Sequence, residues 1–184
     1  MADRRAQTHE RLIDSALELF GERGYDATTV AQIAARAGVT EMTFFRHFAA
    51  KADVLLDDPY DPLIAAAVAR QPAELDPLAR VVRGVQAAWR SVPAPAGDQV
   101  KSRVRIAAAT PSLRAAMWLN TAQTEQVIVD QLVADGVDGL IAKIAASAVL
   151  AAVTTALLEW SVSDVIDLGP MIETALDVLG ASRG

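Results

Sequence analysis

The sequence contains no cysteine, and both of its histidines, His9 and His47, lie toward the N-terminus. The missing thiol excludes disulfide bonds, cysteine nucleophiles and thiolate metal sites. The position of the histidines excludes a histidine-based triad or metal site in the rest of the chain. Asp57 and Asp58 lie beside prolines in a turn-like segment, which does not suit a general acid and base. We therefore predict that the protein is not an enzyme and has no catalytic residue, metal site or cofactor.

The chain also lacks the signals of a β-sheet and of a membrane protein. Sustained alternation of apolar and polar residues is missing, as are hairpin turns. The residues are 52% hydrophobic, but the one serious candidate for a membrane segment, Ile144 to Leu158, is bounded by Lys143 and Glu159. It is shorter than the roughly 20 residues that a spanning helix needs. The segment MADRRAQTHE lacks the apolar core of a signal peptide. We expect no membrane segment and a cytoplasmic location.

Helix start and stop signals divide the chain into α-helices. An apolar stripe at helical spacing predicts a first helix from about Thr8 to Arg23, closed by Gly24. A helix that starts near Lys51 is expected to be interrupted around Pro59, because DDPYDP contains two prolines. The stripe of the first helix comprises Leu12, Ala16, Leu19 and Phe20. The later predicted helices are 76–91, 99–109, 110–134, 138–162 and 171–179, with the break VPAPAGD after the first of them.

Residues 29–48 have the pattern of two short helices joined by a glycine turn. Thr29 and Gln32 have the spacing of a capping box, which predicts that a helix begins at Val30. Gly38 ends that helix, because glycine accepts the left-handed backbone of a tight helix exit. The segment therefore contains a complete first helix and a turn.

The second helix of this pair has one buried and one exposed side. Thr40 can cap it, Phe44 and Phe48 face the core, and Met42 and Arg46 point outward. Two such helices match the helix-turn-helix, whose second helix enters the major groove of DNA. An ordinary helical hairpin in an all-α core explains the same spacing and caps.

The segment from Arg11 to Leu56, including ALELFGERGYDATTVAQIAARAGVTEMTFFRHFAAKADVLL, resembles the DNA-binding head of the TetR (tetracycline repressor) family of bacterial transcriptional regulators. The resemblance implies a three-helix DNA-binding domain over residues 1–51 and a helical effector-binding and dimerisation domain over residues 52–184. It further implies a homodimer that binds a palindromic operator in double-stranded DNA as a repressor and is released by a small-molecule effector. Two alternatives stay open: an all-α ligand-binding or enzymatic protein whose helix-turn-helix is only scaffold, and a family member that has lost DNA binding.

Carried over residue by residue, the resemblance assigns the DNA contacts to the second helix and its neighbours. Glu41 and Met42 lie where family members present base-reading side chains, although Glu41 equally suits the first turn of a helix. Phe45 stands where most members have a tyrosine whose hydroxyl contacts a phosphate, so that hydrogen bond is lost. The predicted DNA-binding residues are Thr29, Thr40, Glu41, Met42, Thr43, Phe45, Arg46, His47 and Lys51.

The predicted head has no net charge. Residues 1–51 contain seven basic and seven acidic residues, so the rest of the chain carries the whole net charge of -6. A basic surface is the usual sign of nucleic-acid binding, because contacts to phosphate supply most of the non-specific affinity. We expect weak affinity for random DNA, with the acids of the first helix pointing away from the DNA. The residues expected to cluster on the DNA side are Arg4, Arg5, Arg36, Arg46 and Lys51.

The predicted body combines aliphatic helices with scattered aromatic and polar residues, as a pocket for a hydrophobic or aromatic ligand does. The predicted ligand-binding residues are Trp89, Arg103, Trp118, Asn120, Thr121 and Trp160. Tryptophan also commonly belongs to a protein core, and Arg103 alternatively suits the surface.

The resemblance places the homodimer interface on the last two helices, as a four-helix bundle across a two-fold axis. Two apolar stripes in this region fit that interface, and the alternative is that they are ordinary core positions. The stripes comprise Ala145, Val149, Val153 and Leu157 on one helix and Met171, Ala175, Val178 and Leu179 on the other.

Overall fold

Every regular element in the described part of the chain is an α-helix. The computed structural model describes residues 2–56, 60–91 and 97–180, and within these ranges it contains no strand. The all-α prediction is confirmed for them. The helices are α1 (Ala2–Arg23), α2 (Val30–Arg36), α3 (Glu41–Phe45), α4 (Asp53–Leu56), α5 (Tyr60–Ala69), α6 (Pro77–Ser91), α7 (Gly97–Ala109), α8 (Pro111–Ala134), α9 (Gly139–Val162) and α10 (Gly169–Gly180).

Most helix boundaries follow the predicted signals, but the first helix is longer than predicted. α1 begins at Ala2, so the predicted start near Thr8 is wrong. Thr8 does not cap the helix, because its hydroxyl donates to the carbonyl of Arg4 one turn earlier, at 2.9 Å, as threonine does inside a helix. The predicted interruption around Pro59 and residues 92–96 of the predicted break lie outside the described residues.

The chain forms two compact units. The first consists of residues 1–57 and 99–117, and the second of residues 58–98 and 118–184. The first unit therefore takes α7 and the first turns of α8 in addition to α1 to α4. The domain boundary after residue 51 stays a prediction.

The core of the first unit is built around the apolar stripe of α1. Leu12, Ala16, Leu19 and Phe20 are all buried, as predicted. Removal of this apolar surface from water is the main force that holds the short helices together. The core is completed by residues of other helices and by Phe48, which follows α3: Ile33, Ala34, Phe44, Phe48, Val54, Leu55, Ala107 and Leu113. A hydrogen bond of 2.7 Å from Gln99 of α7 to Asp14 of α1 adds a polar contact to the same unit.

The second unit is held by close helix contacts and by one buried ion pair. α5 and α6 cross at Gly84, where an added Cβ would lie only 2.7 Å from the Cα of Val68. Trp160 of α9 is 1% exposed and donates its indole N–H to the carbonyl of Ile166 at 3.3 Å. Arg80 of α6, also 1% exposed, pairs with the carboxylate of Asp135 just after α8.

α9 is the most apolar helix of the second unit. It has 24 residues and a mean hydropathy of 2.0 in its most apolar window, so by length and composition it is able to cross a membrane. The predicted uncharged stretch, Ile144 to Leu158, is shorter than the helix that contains it. One third of the window, 33%, is buried inside the second unit. α9 thus has a core side and a side on which large apolar residues, such as Ile144, are exposed.

Candidate DNA-binding surface

Caps and a glycine turn fix the geometry of α2 and α3. The hydroxyl of Thr29 accepts from the backbone N–H of Gln32 at 3.2 Å, and the side chain of Gln32 accepts from the N–H of Thr29 at 3.0 Å. This is the predicted capping box. Gly38 has a φ of +68°, which places it in the left-handed region that favours glycine. Thr40 accepts from the N–H of Thr43 at 3.2 Å and so caps α3.

α3 has a buried and an exposed side. Phe44 is 0% exposed and Phe48, which follows the helix, is 3% exposed, so both belong to the core as predicted. On the opposite side Met42 is 68% exposed and Phe45 is 53% exposed. Glu41 and Arg46 are exposed on this side as well. Thr43 is half-buried, and its hydroxyl lies 3.0 Å from that of Thr40. Two large apolar side chains thus stand in solvent beside one acid and one base.

Lys51 points into the loop between α1 and α2. Its ammonium group donates to the carbonyls of Tyr25 and Thr28, at 2.7 Å in both cases, and lies 4.0 Å from the centre of the Tyr25 ring. Burial lowers the pKa of Lys51, while the nearby Asp26 raises it. With two of its three N–H donors bonded to this loop, Lys51 connects the loop to the segment before α4.

His47 packs beside the N-terminal half of α1. Its ring centre lies 5.7 Å from that of His9, and the ring of His9 stacks on Phe48 at 4.6 Å. The pKa of His47 is lowered, first by burial and then by the charges of His9 and Arg5. These effects favour the neutral form of the His47 ring.

Arg36 does not lie among the residues of the DNA side. Its guanidinium bonds to both carboxylate oxygens of Glu22, at 3.1 and 3.0 Å, and to Glu18 at 3.0 Å. The hydrogen bonds from Arg36 to Glu22 are the main cause of the lowered pKa of Glu22, and the charges of Arg36 and Arg23 lower it further. The expectation that Arg36 faces DNA is wrong, because α2 packs its C-terminal end against the acidic part of α1 and the opposite charges pair there.

The predicted DNA-binding residues separate into three groups. One group lies on α3 and its caps: Thr40, Glu41, Met42, Thr43, Phe45 and Arg46. Thr29 begins α2, while His47 and Lys51 follow α3 and bond or pack inside the first unit. Arg5, which was expected on the DNA side, and His9, which was not in the predicted set, both lie close to His47. The spacing of four residues between Arg5 and His9 on one helix was the signal that could have found His9, once α1 was extended to its true start.

The predicted ligand-binding residues do not share one environment. Trp160 is a buried core residue, whereas Trp118 is 76% exposed. Trp89, Asn120 and Thr121 are half-buried in the second unit. Arg103, also half-buried, belongs to the first unit. Trp160 therefore belongs to the protein core, which was the alternative to ligand binding for the tryptophans.

A groove in the second unit runs between α6 and α10 and involves none of the six predicted residues. It is lined by Leu78, Ala79, Val82, Arg83, Gln86, Leu179 and Gly180. Its lining combines apolar side chains with the polar side chains of Arg83 and Gln86. Within the described ranges, no group of three or more His, Asp or Glu side chains is arranged to hold a metal ion.

The predicted dimer stripe of α9 is partly a core stripe. Ala145 is 3% exposed and Val149 is 0% exposed, so these two residues face the interior of their own unit and the dimer assignment is wrong for them. The exposed apolar side of α9 lies next to this buried stripe around the helix axis, because adjacent residues of a helix are about 100° apart. It includes Leu140 (69% exposed), Ile141 (51%), Ile144 (59%) and Val162 (72%), and Val178 of α10 is 66% exposed.

Comparison with known families matches two parts of this chain. Residues 12–57 match the family described as bacterial regulatory proteins, tetR family. Residues 75–184 match the family described as the MftR C-terminal domain. The first match covers the second half of α1 and all of α2, α3 and α4, and the second covers α6 to α10.

Individual proteins extend this comparison. The transcriptional regulator TcmR of Streptomyces glaucescens is 42% identical over 88 residues, which are 47% of this chain and 37% of TcmR. SrpR of Pseudomonas putida is 36% identical over 97 residues, 52% of this chain and 41% of SrpR. The matches thus span about two fifths of the length of these curated relatives. SmeT, the repressor of the Stenotrophomonas maltophilia multidrug efflux pump SmeDEF, has the same fold, with a TM-score of 0.60 at 22% identity over 95% of this chain and 89% of SmeT. SmeT has also been solved in complex with triclosan, with a TM-score of 0.63 at 22% identity over 96% of this chain and 91% of that chain.

Proposed function

Because the chain belongs to the TetR family of bacterial regulatory proteins, we propose that it is a cytoplasmic, DNA-binding transcriptional repressor. In this proposal the helix-turn-helix of the first unit binds a palindromic operator, and a small molecule bound in the second unit releases it. The family is one of transcriptional regulators and not of enzymes. In this proposal residues 1–51 bind DNA, and residues 52–184 bind the ligand and form the dimer.

One observation carries the proposal: large apolar side chains stand in solvent on the exposed side of α3. Met42 and Phe45 are 68% and 53% exposed although burial of large apolar side chains is favourable. The major groove offers such side chains the methyl group of thymine, and it offers Glu41 the amino group of cytosine. Arg46, exposed at the end of α3, suits a phosphate. Within the described part of the free protein, the guanidinium of Arg46 bonds only to the sulfur of Met42, at 3.9 Å, and Phe45 packs edge-on against Phe44. DNA offers these four residues the partners that their exposed atoms suit.

The remaining predicted residues stabilise α3 or lie at the edge of its exposed side. Thr40 and Thr43 hold the first turn of α3 through their cap. Thr29 caps α2, and its hydroxyl hydrogen stays able to donate to a phosphate. Lys51 fixes the loop between α1 and α2, and its third N–H is the one that can reach the DNA backbone. His47 packs on α1 at the edge of the surface.

The dimer in this proposal forms through α9 and α10. The exposed apolar side of α9, with Ile144 near its middle, needs cover, and a second copy related by a two-fold axis covers it with the same residues. Two heads held in this way present two α3 helices to successive half-sites, which lie about 34 to 36 Å apart on DNA. The palindrome of the operator then mirrors the symmetry of the protein.

The effector in this proposal is a small hydrophobic or aromatic molecule. Support comes from the structural neighbour SmeT, which has been solved with triclosan. Trp89, Trp118, Asn120 and Thr121 in the second unit stay candidates for its recognition. Arg103 belongs to the first unit, and its predicted role in ligand binding stays a prediction. Trp160 supports the second unit as a core residue. The apolar lining of the groove between α6 and α10 makes it a further candidate.

Selection of bound fragments from a pool of random duplex DNA, followed by sequencing, tests the proposal. We expect enrichment of one palindromic sequence with two half-sites about one helical turn apart. A pool that stays unenriched over successive rounds with the purified full chain would contradict the proposal. Fluorescence anisotropy then measures whether hydrophobic compounds release the enriched duplex. The compounds that do so identify the ligand class.

Two variants of α3 separate base contacts from phosphate contacts. We expect Glu41→Gln to change which bases are enriched, because it replaces an acceptor-only side chain with one that also donates. We expect Arg46→Gln to weaken binding to all sequences alike and to lower the salt slope by about 1, the value for one phosphate contact. Identical effects of the two variants would contradict these roles.

A further inference from the structure

The sulfur chemistry of this chain depends on methionine alone. The sequence has no cysteine and four methionines, Met1, Met42, Met117 and Met171. Of the three whose side chains the structure describes, Met117 and Met171 are half-buried, and Met117 packs against the core of the first unit. Met42 is 68% exposed. Because an oxidant must reach the sulfur from solvent, Met42 is the described side chain that it reaches most readily.

The fold keeps the sulfur of Met42 in solvent. Phe44, two positions later in α3, is 0% exposed, and residues two apart in a helix lie on nearly opposite sides. The cap at Thr40 fixes the first turn of α3 by accepting from the N–H of Thr43 at 3.2 Å. Met42 therefore cannot withdraw into the core unless Phe44 leaves it.

One charged side chain lies beside this sulfur. Nη2 of Arg46 is 3.9 Å from Sδ of Met42, one helical turn earlier. A thioether sulfur is a weak acceptor, so it leaves the guanidinium largely available to another partner. A sulfoxide has a strongly polar S–O bond, and its oxygen is a better acceptor. Oxidation of Met42 thus places a strong acceptor beside the N–H donors of Arg46.

We propose that Met42 is a modification site at which oxidation to methionine sulfoxide switches off binding to the operator. This inference rests on the proposed function, in which Met42 and Arg46 face DNA. The oxidant is a peroxide. One oxygen atom of hydrogen peroxide bonds to the sulfur as the O–O bond breaks, and water leaves. The sulfur is thereby oxidised by two electrons, and the peroxide is reduced by two.

The sulfoxide weakens DNA binding for two reasons. Its oxygen is hydrated in solvent and loses that water without replacement when it meets an apolar group such as the methyl of thymine. It also accepts from Arg46, which then has fewer donors for a phosphate. The core of the first unit is built without Met42, so these losses do not require unfolding.

Limited treatment of the full chain with hydrogen peroxide tests the inference. We expect peptide mass spectrometry to show oxygen on Met42 before Met117 and Met171. The Kd for the selected operator, measured by fluorescence anisotropy, should rise roughly tenfold or more as Met42 is oxidised, which is the scale of one mismatched base pair. Methionine sulfoxide reductases should restore the Kd, because they return the sulfoxide to the thioether. Oxidation of the three methionines at equal rates, or an unchanged Kd once Met42 carries oxygen, would overturn the inference.

Three variants separate Met42 from the other methionines. The first two are each compared with themselves before and after peroxide, so their readout does not depend on the starting affinity. Met42→Leu keeps an apolar side chain of similar volume without sulfur, and its Kd should not change with peroxide. Met171→Leu is the matched control and should respond to peroxide as the wild-type chain does. Met42→Gln, which places a polar group at the same position, should bind the operator weakly without any oxidant.

A folding control and the unoxidised chain complete the test. Thermal melting by circular dichroism should show the same transition before and after limited oxidation. The wild-type time course decides by itself if Met42→Leu binds too weakly to compare. A Met42→Leu chain that still loses the operator in peroxide would overturn the inference and leave the proposed function standing. Failure of the untreated wild-type chain to enrich any DNA would overturn both.

Discussion

Arg80 is the residue whose surroundings depend most on a single partner. It is 1% exposed, and its Nη2 donates to Asp135 at 2.5 Å. Its Nε and Nη1 are buried without a hydrogen-bond partner. Asp135 also accepts from Gln131 at 2.9 Å, and its pKa is lowered by Gln131 first and Arg80 second. The guanidinium therefore depends on the carboxylate more than the carboxylate depends on the guanidinium.

This asymmetry predicts opposite effects for the two halves of the pair. Asp135→Ala should destabilise the protein strongly, because a buried charge without its partner costs about 3 to 5 kcal/mol. Arg80→Met should be neutral or stabilising, because it removes the charge and two unpaired donors while filling a similar volume. Urea denaturation followed by circular dichroism measures both. The free energy of unfolding of the double variant should be close to that of Arg80→Met. A double variant as unstable as Asp135→Ala would contradict the explanation.

At the scale of elements, two glycines inside helices have different reasons to be there. Gly84 lets α6 approach α5, because an added Cβ would meet the backbone N and Cα of Val68 at 2.9 and 2.7 Å. Gly21 in α1 has nothing within 4 Å of that position. The first glycine permits a close helix crossing, while the second only lowers the helix propensity of α1.

The same substitution should therefore have opposite signs at these two positions. Gly84→Ala should destabilise the protein by about 1 to 3 kcal/mol, because backbone atoms cannot give way as a flexible side chain can. Gly21→Ala should stabilise it by roughly 0.5 to 1 kcal/mol through helix propensity alone. Thermal or urea unfolding measures the two changes. A stabilising Gly84→Ala would show that the helices can separate at little cost.

Local signals in the sequence predicted the helix-turn-helix well, since its geometry depends on residues a few positions apart. The cap at Thr29 and the turn at Gly38 required no knowledge of the rest of the chain. The contacts of Lys51 and Arg36 did not follow from the sequence in the same way. Lys51 bonds to carbonyls 23 and 26 residues away, and Arg36 bonds to acids 14 and 18 residues away. Where such side chains point is decided by how the helices pack.

At the scale of the whole molecule, the exposed side of α9 is a feature that a single chain leaves unexplained. Leu140, Ile141, Ile144 and Val162 are each more than half exposed, at 51% to 72%. Several large apolar side chains on one helix face mark an interaction surface more often than an ordinary solvent surface. The core side of the same helix, with Val149, is already occupied by its own unit. The proposed dimer therefore uses the side of α9 that was not in the predicted stripe.

A single charge on this side should separate the proposed dimer. Ile144→Glu places a carboxylate on each copy of a two-fold interface, so both copies lose apolar contact and bury a charge. Light scattering at micromolar concentration should give a dimer for the wild-type chain and a monomer for this variant. Val133→Glu on α8, a position 45% exposed, is the matched control and should stay dimeric. A wild-type monomer would contradict the proposed dimer.

The first unit is discontinuous in sequence, and this limits how the head can be exchanged between related regulators. Residues 1–57 meet Ala107 and Leu113 in one core, and both of these are 1% exposed. A chimaera joined after residue 57 would place a foreign α7 and α8 on that core, with side chains that were never selected to fit it. A graft that keeps residues 99–117 with the head preserves the whole packing. For engineering and for evolution, the unit of exchange is thus a pair of chain segments and not an N-terminal cassette.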